Sequence, residues 1–238
     1  MNLIVAARNG DIATINRLLD EGADPNKLSV DPNITNDDGR LPLAVAARNS
    51  NTTSSIKTVK LLLDRGANPN LREKNGMTAL VIAAKNSSKD SSLETVKLLL
   101  DRGADINLAD GNGMAPLISA ARMSNTTSSL ETVKLLLDRG ADINLQDKIG
   151  FTALISAARN SNRDSSIVTV KLLLDRGASI DLKDGTGSTA LMSAARNSNT
   201  DSSVETVRLL LDRGANPNIT NNNGLTALHL AAGLSNQI

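Results

Sequence analysis

The 238-residue sequence contains no cysteine, tryptophan or tyrosine and has a single phenylalanine, Phe151. The absence of cysteine excludes disulfide bonds, thiolate metal sites and a cysteine nucleophile. Because large aromatic rings are lacking, any core must be built from Leu, Ala, Ile, Val and a few Met side chains. Such side chains favour many thin layers over one thick core.

Clusters of like charge and long apolar runs are also missing. The 26 Lys and Arg residues nearly balance the 25 Asp and Glu residues, and the net charge is +1. Nucleic-acid binding needs clustered basic residues, so we predict no nucleic-acid partner. The longest apolar runs, such as LVIAA at 80–84, are too short to span a bilayer, and the N-terminal residues lack a signal-peptide pattern. We therefore predict a cytoplasmic protein with no membrane partner.

What the sequence does contain is a repeat. The string LLLDRGA recurs with its glycine at 66, 103, 140, 177 and 214, a constant step of 37 residues. A looser copy, LLDEGA, places a glycine at 22, and seven extra residues around 27–33 separate it from the next copy. A fixed period of this length indicates that each copy buries its apolar surface against its neighbours.

Each copy predicts two helices, as residues 76–107 illustrate. Thr78 is a predicted N-cap, and Leu80, Ala83 and Ala84 form a narrow apolar stripe at helical spacing. The polar stretch KNSSKDSS then ends this first helix.

A second helix follows in the same copy. Ser91 and Glu94 fit the S-x-x-E pattern of a capping box, and Leu93, Val96 and Leu99 give the apolar spacing. Gly103 lies where a left-handed residue would end the helix. Since neither helix can bury its stripe alone, successive helix pairs are predicted to stack into an all-α solenoid.

The copies resemble the ankyrin repeat, in which a hairpin-like finger precedes a first helix opening with T-P-L-H-x-A-A. Its second helix ends in L-L-x-x-G-A-D-x-N. The matching first-helix segments are LPLAVAA (41–47), TALVIAA (78–84), APLISAA (115–121), TALISAA (152–158), TALMSAA (189–195) and TALHLAA (226–232). The resemblance covers essentially the whole chain and implies an ankyrin-repeat solenoid of stacked helix pairs with hairpin-like fingers.

Three features depart from the family pattern. The usual unit has 33 residues, and the four extra residues of each copy lie between its two helices, in segments such as SNTTSS. Where the capping Thr is missing, Pro42 and Pro116 occupy the predicted first helical position. The family's His is present only as His229, which we interpret as a scaffold residue.

The resemblance also sets the predicted domain boundaries. We predict one array over 1–238 that begins with a capping repeat (1–26) and an enlarged first finger or linker (27–38). Five full repeats (39–70, 76–107, 113–144, 150–181 and 187–218) and an incomplete C-terminal repeat (224–238) follow.

Two glycine-containing segments imitate ligand motifs. GTGSTA at 185–190 matches a dinucleotide-binding pattern but lacks a surrounding βαβ unit, and DINLADGNG at 105–113 lacks the spacing and the closing Glu of a calcium loop. We interpret both as finger turns. The sequence therefore predicts no enzyme activity, no cofactor and no metal site.

Basic residues recur at the repeat spacing in two series. The first series ends the first helices and comprises Arg8, Arg48, Lys85, Arg122, Arg159 and Arg196. The second comprises Arg65, Arg102, Arg139, Arg176 and Arg213, each preceded by an Asp, and we interpret it as solvated scaffold. In an ankyrin stack the first series would line the concave face, where an acidic partner could bind. Three i, i+4 pairs are also predicted on the second helices: Lys97 with Asp101, Lys134 with Asp138, and Lys171 with Asp175.

The residue after each finger glycine differs between copies: Arg40, Met77, Met114, Phe151, Ser188 and Leu225. Methionine and aromatic side chains are enriched in interface cores. We predict a partner-binding site comprising Met77, Met114, Phe151, Ile149, Met123, Arg122, Arg159 and Arg196. The alternative is that the apolar members pack against the neighbouring finger.

The leading functional prediction is a non-enzymatic module that binds a protein or peptide, acidic in character, on its finger and inner-helix surface. One alternative is a solenoid that self-assembles head to tail through its open ends, although we expect a monomer. Another is the targeting arm of a longer effector protein. The Asn-rich copies resemble ankyrin proteins of giant viruses and intracellular bacteria, which would place the chain in a host cytoplasm.

Overall fold

The computed structural model describes residues 2–28, 39–162, 165–198 and 204–235. Every regular element within these ranges is an α-helix, which confirms the predicted class. The helices are α1 (Leu3–Asn9), α2 (Ile12–Asp20), α3 (Pro42–Arg48), α4 (Ile56–Asp64), α5 (Ala79–Asn86), α6 (Leu93–Asp101), α7 (Pro116–Arg122), α8 (Leu130–Asp138), α9 (Ala153–Arg159), α10 (Ile167–Asp175), α11 (Ala190–Arg196), α12 (Val204–Asp212) and α13 (Ala227–Ser235). The predicted first finger, 27–38, lies outside the described residues apart from Lys27 and Leu28.

The first helices begin where their caps predict. The hydroxyls of Thr78, Thr152 and Thr189 each accept a hydrogen bond from the backbone N–H three residues further on. Where threonine is missing, α3 and α7 begin at Pro42 and Pro116. Proline suits this position because its missing N–H would have no partner inside the helix.

The second helices are capped one residue later than predicted. Ser92, and not Ser91, accepts the hydrogen bond from the backbone N–H of Thr95, at 3.2 Å. The predicted capping box on Ser91 is therefore wrong. Ser91 is fully buried, and its hydroxyl lies 3.3 Å from that of Ser50 in the preceding copy. The next copies are capped in the same way, by Ser129 and Ser166.

A left-handed glycine ends the second helices, as predicted. Gly103 has φ +83° directly after the C-cap of α6, and the N–H of Ala104 donates to the carbonyl of Leu99 at 3.0 Å. Glycine adopts this backbone conformation without steric cost. The reversal lets the chain leave the second helix and enter the next finger.

The first helices form the core and are buried on all sides. Residues 79–84 of α5 are each at most 2% exposed. The narrow stripe predicted from Leu80, Ala83 and Ala84 is therefore too small. The reason is that α5 contacts both α3 and α6, so little of its surface meets water. At α13 the pattern weakens, since Leu228 is 77% exposed.

The chain comprises two compact units, Met1–Pro116 and Leu117–Ile238. In the first unit α1 packs against α2 and α3, and α3 packs against α4 and α5. In the second unit α9 packs against α10 and α11, and α11 packs against α12 and α13. Within each unit, the first helices α1, α3, α5, α9 and α11 thus contact the second helix of their own copy and a first helix of an adjacent copy, as in a stacked repeat.

The lengthened loops between the two helices of a copy bond to the following copy. The Thr95 hydroxyl donates to Ser50 at 2.7 Å, and the Thr206 hydroxyl donates to Ser161 at 2.8 Å. The Ser124 and Thr169 hydroxyls are likewise 2.7 Å apart. In each pair the two residues are 45 positions apart in the sequence. The loops therefore help to join neighbouring copies.

Arginines of the second series form ion pairs between copies. Arg176 binds Asp138 and Arg213 binds Asp175, each at 2.7 Å, while Arg65 binds Asp20 at 2.8 Å. Asp138 and Asp175 therefore bond to the next copy, and their predicted i, i+4 pairs with Lys134 and Lys171 are wrong. The partner of each arginine is the aspartate of the previous copy, not the one beside it in sequence.

Candidate functional site

The finger at 146–151 holds Phe151 in a fixed position. One carboxylate oxygen of Asp147 accepts hydrogen bonds from the backbone N–H groups of Ile149 and Phe151, at 3.0 and 2.8 Å. In return the N–H of Asp147 donates to the Phe151 carbonyl at 3.0 Å. Gly150 supplies the positive φ, +84°, that closes this hairpin-like turn. The half-buried Phe151 ring thus projects from a braced loop.

Arg159, the last residue of α9, lies against this ring. Its guanidinium carbon is 5.5 Å from the centroid of Phe151. A cation at this distance from an aromatic face is attracted by the ring quadrupole. The contact orients Arg159, which is exposed, alongside the finger.

Two surface hollows flank Phe151 within the second unit. The first, of about 310 Å³, is lined by Arg122, Ser156, Asn160 and the three residues Ile149, Phe151 and Arg159. The second, of about 290 Å³, shares those three residues and is completed by side chains that include Arg196, Met192 and Leu230. We call them the Arg122 hollow and the Arg196 hollow. Ile149 and Phe151 form the ridge between them.

The ridge offers apolar surface at the point where the hollows meet. Ile149 is 60% exposed, a large value for a branched aliphatic side chain. Large apolar side chains next to concave surface are typical of binding sites. The structure therefore brings together five of the predicted site residues: Arg122, Ile149, Phe151, Arg159 and Arg196.

The charge of the two hollows is predominantly positive. Arg122, Arg159 and Arg196 are exposed and form no ion pair with any residue in the described part of the chain. Asp184 also lines the Arg196 hollow, but one of its carboxylate oxygens accepts backbone hydrogen bonds from Thr186 and Ser188. Three unneutralised guanidinium groups therefore surround one apolar ridge.

The predicted methionines occupy different surroundings. Met77, in the first unit, packs with Leu71 against the buried residues Leu41, Ala44 and Ile82. Met77 therefore contacts core residues of its own copy and of the preceding copy, and its part in binding stays a prediction.

Met114 and Met123 are both half-buried. The N–H of Met114 donates to Asp110, as that of Phe151 donates to Asp147. Met123 begins the loop after α7, where its carbonyl accepts hydrogen bonds from Thr126 and Ser128. Neither residue lines the two hollows, and their part in binding stays a prediction.

Basic residues of the first series differ between the two units. Arg8, Arg48 and Lys85 are half-buried, whereas Arg122, Arg159 and Arg196 are exposed. Burial lowers the pKa of the Arg48 guanidinium and the charge of Arg40 lowers it further, whereas Glu73 and Asp90 raise it. The exposed members of the series are therefore those of the second unit.

Sequence reasoning missed Met192 and Leu230, which contribute to the Arg196 hollow. Met192 is 1% exposed and Leu230 is 8% exposed, so both are parts of the core that reach the base of the hollow. A signal was available for Met192, because it replaces the isoleucine found at the equivalent positions of the two preceding copies, Ile118 and Ile155.

The segments that imitate ligand motifs have structural partners. The N–H of Gly185 donates to the Ile149 carbonyl at 2.9 Å, which links two fingers. The Nδ1 atom of His229 accepts a hydrogen bond from the N–H of Thr226 at 3.2 Å and lies 2.8 Å from the Thr226 hydroxyl, and so His229 stabilises the start of α13. Among the described residues, no group of three or more His, Cys, Asp or Glu side chains is placed to hold a metal ion. None of the described helices combines the length and apolarity needed to cross a membrane.

Comparison with known families gives one consistent result. A family model described as ankyrin repeats in three copies matches residues 3–110, 51–147, 87–184, 120–221 and 163–238, which overlap along almost the whole chain. The search of curated proteins finds no matching sequence.

Solved structures with this fold are numerous, with 666 matching chains. One is the ankyrin repeat domain of Bcl-3, described as a unique member of the IkappaB protein family. The likeness covers 97% of this chain and 93% of that one, at 28% sequence identity and a TM-score of 0.76. A fold shared by so many proteins does not by itself select a partner, so that question depends on the site.

Proposed function

The chain belongs to the ankyrin-repeat family, and from this premise we propose that the surface around Phe151 binds an acidic segment of a partner protein. Ankyrin repeats generally serve as protein-interaction modules and are typically non-enzymatic scaffolds. The observation that carries the proposal is the apolar ridge of Ile149 and Phe151 between Arg122, Arg159 and Arg196.

Charge complementarity supports an acidic partner. Unlike Arg176 and Arg213, which are paired with aspartates, the three arginines around the ridge have no ion-pair partner in the described part of the chain. A partner carboxylate would therefore gain an attraction without displacing an existing pair. Such charges raise the association rate and select the partner, while the ridge supplies apolar contact.

A single aromatic side chain between two hollows is suited to dominate the binding energy. Interface hot spots are enriched in aromatic residues and arginine, and they cluster at the centre of the contact. Phe151 and Arg159, which line both hollows and contact each other, have this placement.

The proposal is tested with peptides selected from a display library on the wild-type protein. We expect the selected peptides to be rich in Asp and Glu, and the Phe151→Ala variant to bind them at least about tenfold more weakly. Val168→Ala is the matched control, because Val168 is an exposed apolar residue of α10 that lines neither hollow. Circular dichroism verifies folding. Selected peptides that bind Phe151→Ala as tightly as the wild type would refute the site.

Head-to-tail assembly, attachment to a longer effector protein, host origin and cytoplasmic location stay predictions. The same holds for the contributions of Met77, Met114 and Met123 to binding. The repeat boundaries predicted from the sequence also stay predictions.

A further inference from the structure

The three arginines that form no ion pair within the described residues recur with the repeat. Arg122, Arg159 and Arg196 are each the last residue of a first helix, α7, α9 and α11, and are 37 residues apart in sequence. Arg122 and Arg159 line one hollow, and Arg159 and Arg196 line the next. The positive charges therefore follow the stack at one charge per copy.

The distance between neighbouring first helices sets the spacing between these charges. Packed helices lie about 8–10 Å apart. A polyproline II helix rises about 3.1 Å per residue and completes a turn in three residues, so every third side chain lies on the same face about 9 Å further on. A β-strand does not match as well, because side chains on one face are two residues, about 6.6 Å, apart.

Resting on the proposed function, we propose that the ligand of this surface is a polyproline II peptide with an acidic residue at every third position. Its carboxylates bind Arg122, Arg159 and Arg196 in turn. The residues between them contact the ridge of Ile149 and Phe151 and enter the adjacent hollows.

Preorganisation favours this form of ligand. A polyproline II segment is already extended before it binds, so less conformational entropy is lost on binding. Arg159 is also partly preorganised, because its guanidinium lies against the ring of Phe151.

The test uses two fluorescein-labelled synthetic peptides of identical composition. The first repeats Asp-Leu-Pro three times, and the second has the order Asp-Pro-Asp-Leu-Asp-Leu-Pro-Leu-Pro, which places Asp at every second position. By fluorescence anisotropy with the whole chain, we expect the first peptide to bind about fivefold more tightly, since one exposed ion pair changes affinity by up to about fivefold. In the Arg159→Gln variant this preference should shrink, whereas Lys171→Gln, which alters an exposed lysine of α10, should keep it.

The remaining outcomes separate the two levels of the proposal. If both peptides bind equally and both lose affinity in Phe151→Ala, the three-residue spacing is wrong, and an acidic ligand at this site is retained. If neither peptide binds, while the display-selected peptides depend on Phe151, the polyproline II ligand is wrong. If the affinity of the selected peptides is also unchanged in Phe151→Ala, the proposed site is wrong.

Discussion

Five equivalent threonines of the second helices, at 58, 95, 132, 169 and 206, are fully buried. A buried hydroxyl is stabilising only when it finds a hydrogen-bond partner. Thr95, Thr169 and Thr206 find one in a serine of the preceding copy. Thr58 has no partner among the described residues. The reason lies in the sequence of the first copy, whose short inter-helix loop supplies no equivalent serine.

This difference predicts opposite effects for one substitution at two sites. Thr58→Val removes an unpaired buried hydroxyl and should raise the free energy of unfolding by about 1 kcal/mol. Thr169→Val is the matched control, and it should lower that free energy by about 1 kcal/mol because it leaves Ser124 without the same partner. Urea denaturation followed by circular dichroism measures both. Effects of the same sign would show that hydroxyl pairing does not distinguish the two sites.

At the scale of the elements, the backbones of two neighbouring fingers lie so close at Gly150 and Gly185 that no side chain would fit between them. A Cβ added to Gly150 would lie 2.5 Å from the Gly185 nitrogen and 2.8 Å from the Asp184 Cα atom. In the same contact the Gly185 N–H donates to the Ile149 carbonyl. The backbone contact therefore depends on glycine, and it holds the finger that carries Phe151.

Gly150→Ala is accordingly expected to destabilise the protein more than an equivalent change elsewhere. Gly140, which follows α8, has a similar φ of +86° but no atom within 4 Å of an added Cβ. Both substitutions cost about 1–2 kcal/mol from the left-handed backbone. Only Gly150→Ala adds a backbone collision, of about 1–3 kcal/mol. Equal unfolding midpoints for the two variants would contradict the close finger contact.

At the scale of the whole molecule, positive charge is distributed unequally between two repeated series. The second series is largely neutralised between copies, as in the Arg102 pair with Asp64 at 2.9 Å. In the first series, the three members of the second unit remain unpaired within the described part of the chain. A net charge of only +1 therefore conceals a local excess of positive charge.

Salt should therefore weaken the binding of an acidic peptide to these arginines. Raising NaCl from about 50 to 500 mM shortens the Debye length several-fold, and we expect acidic-peptide affinity to fall about tenfold. The exposed inter-copy ion pairs contribute about 0–1 kcal/mol each, so screening of the four described above should lower the free energy of unfolding by at most about 4 kcal/mol. Anisotropy titrations and urea denaturation at both salt concentrations provide the measurements. Affinity that is independent of salt would mean that the arginines do not bind the peptide's carboxylates.

The sequence predicted features whose causes lie within one copy. Thr78 caps α5 and Gly103 follows the end of α6. Both effects depend only on residues a few positions away in the sequence. Sequence reasoning failed where the cause lies in the next copy. Ser91 and Ser92 are equivalent locally, and only the burial of Ser91 against Ser50 decides which one caps α6.

The candidate site shows the same limit. Periodicity identified Phe151 and the arginine series, but it could not show that Met77 enters a core built partly from Leu41 and Ala44 of the preceding copy. Nor could it show that Met192 and Leu230 meet beneath one hollow, since they belong to two different copies.

The hydroxyl bonds between copies also bear on how such a gene can change in length. Each bond reaches only to the adjacent copy, over 45 residues. If recombination removed one 37-residue period between Ser124 and Thr206, these two residues would again lie 45 positions apart and form the same kind of pair. Duplication or loss of such a copy would thus preserve the hydroxyl bonds between the remaining copies, while altering the number of arginines available to a ligand.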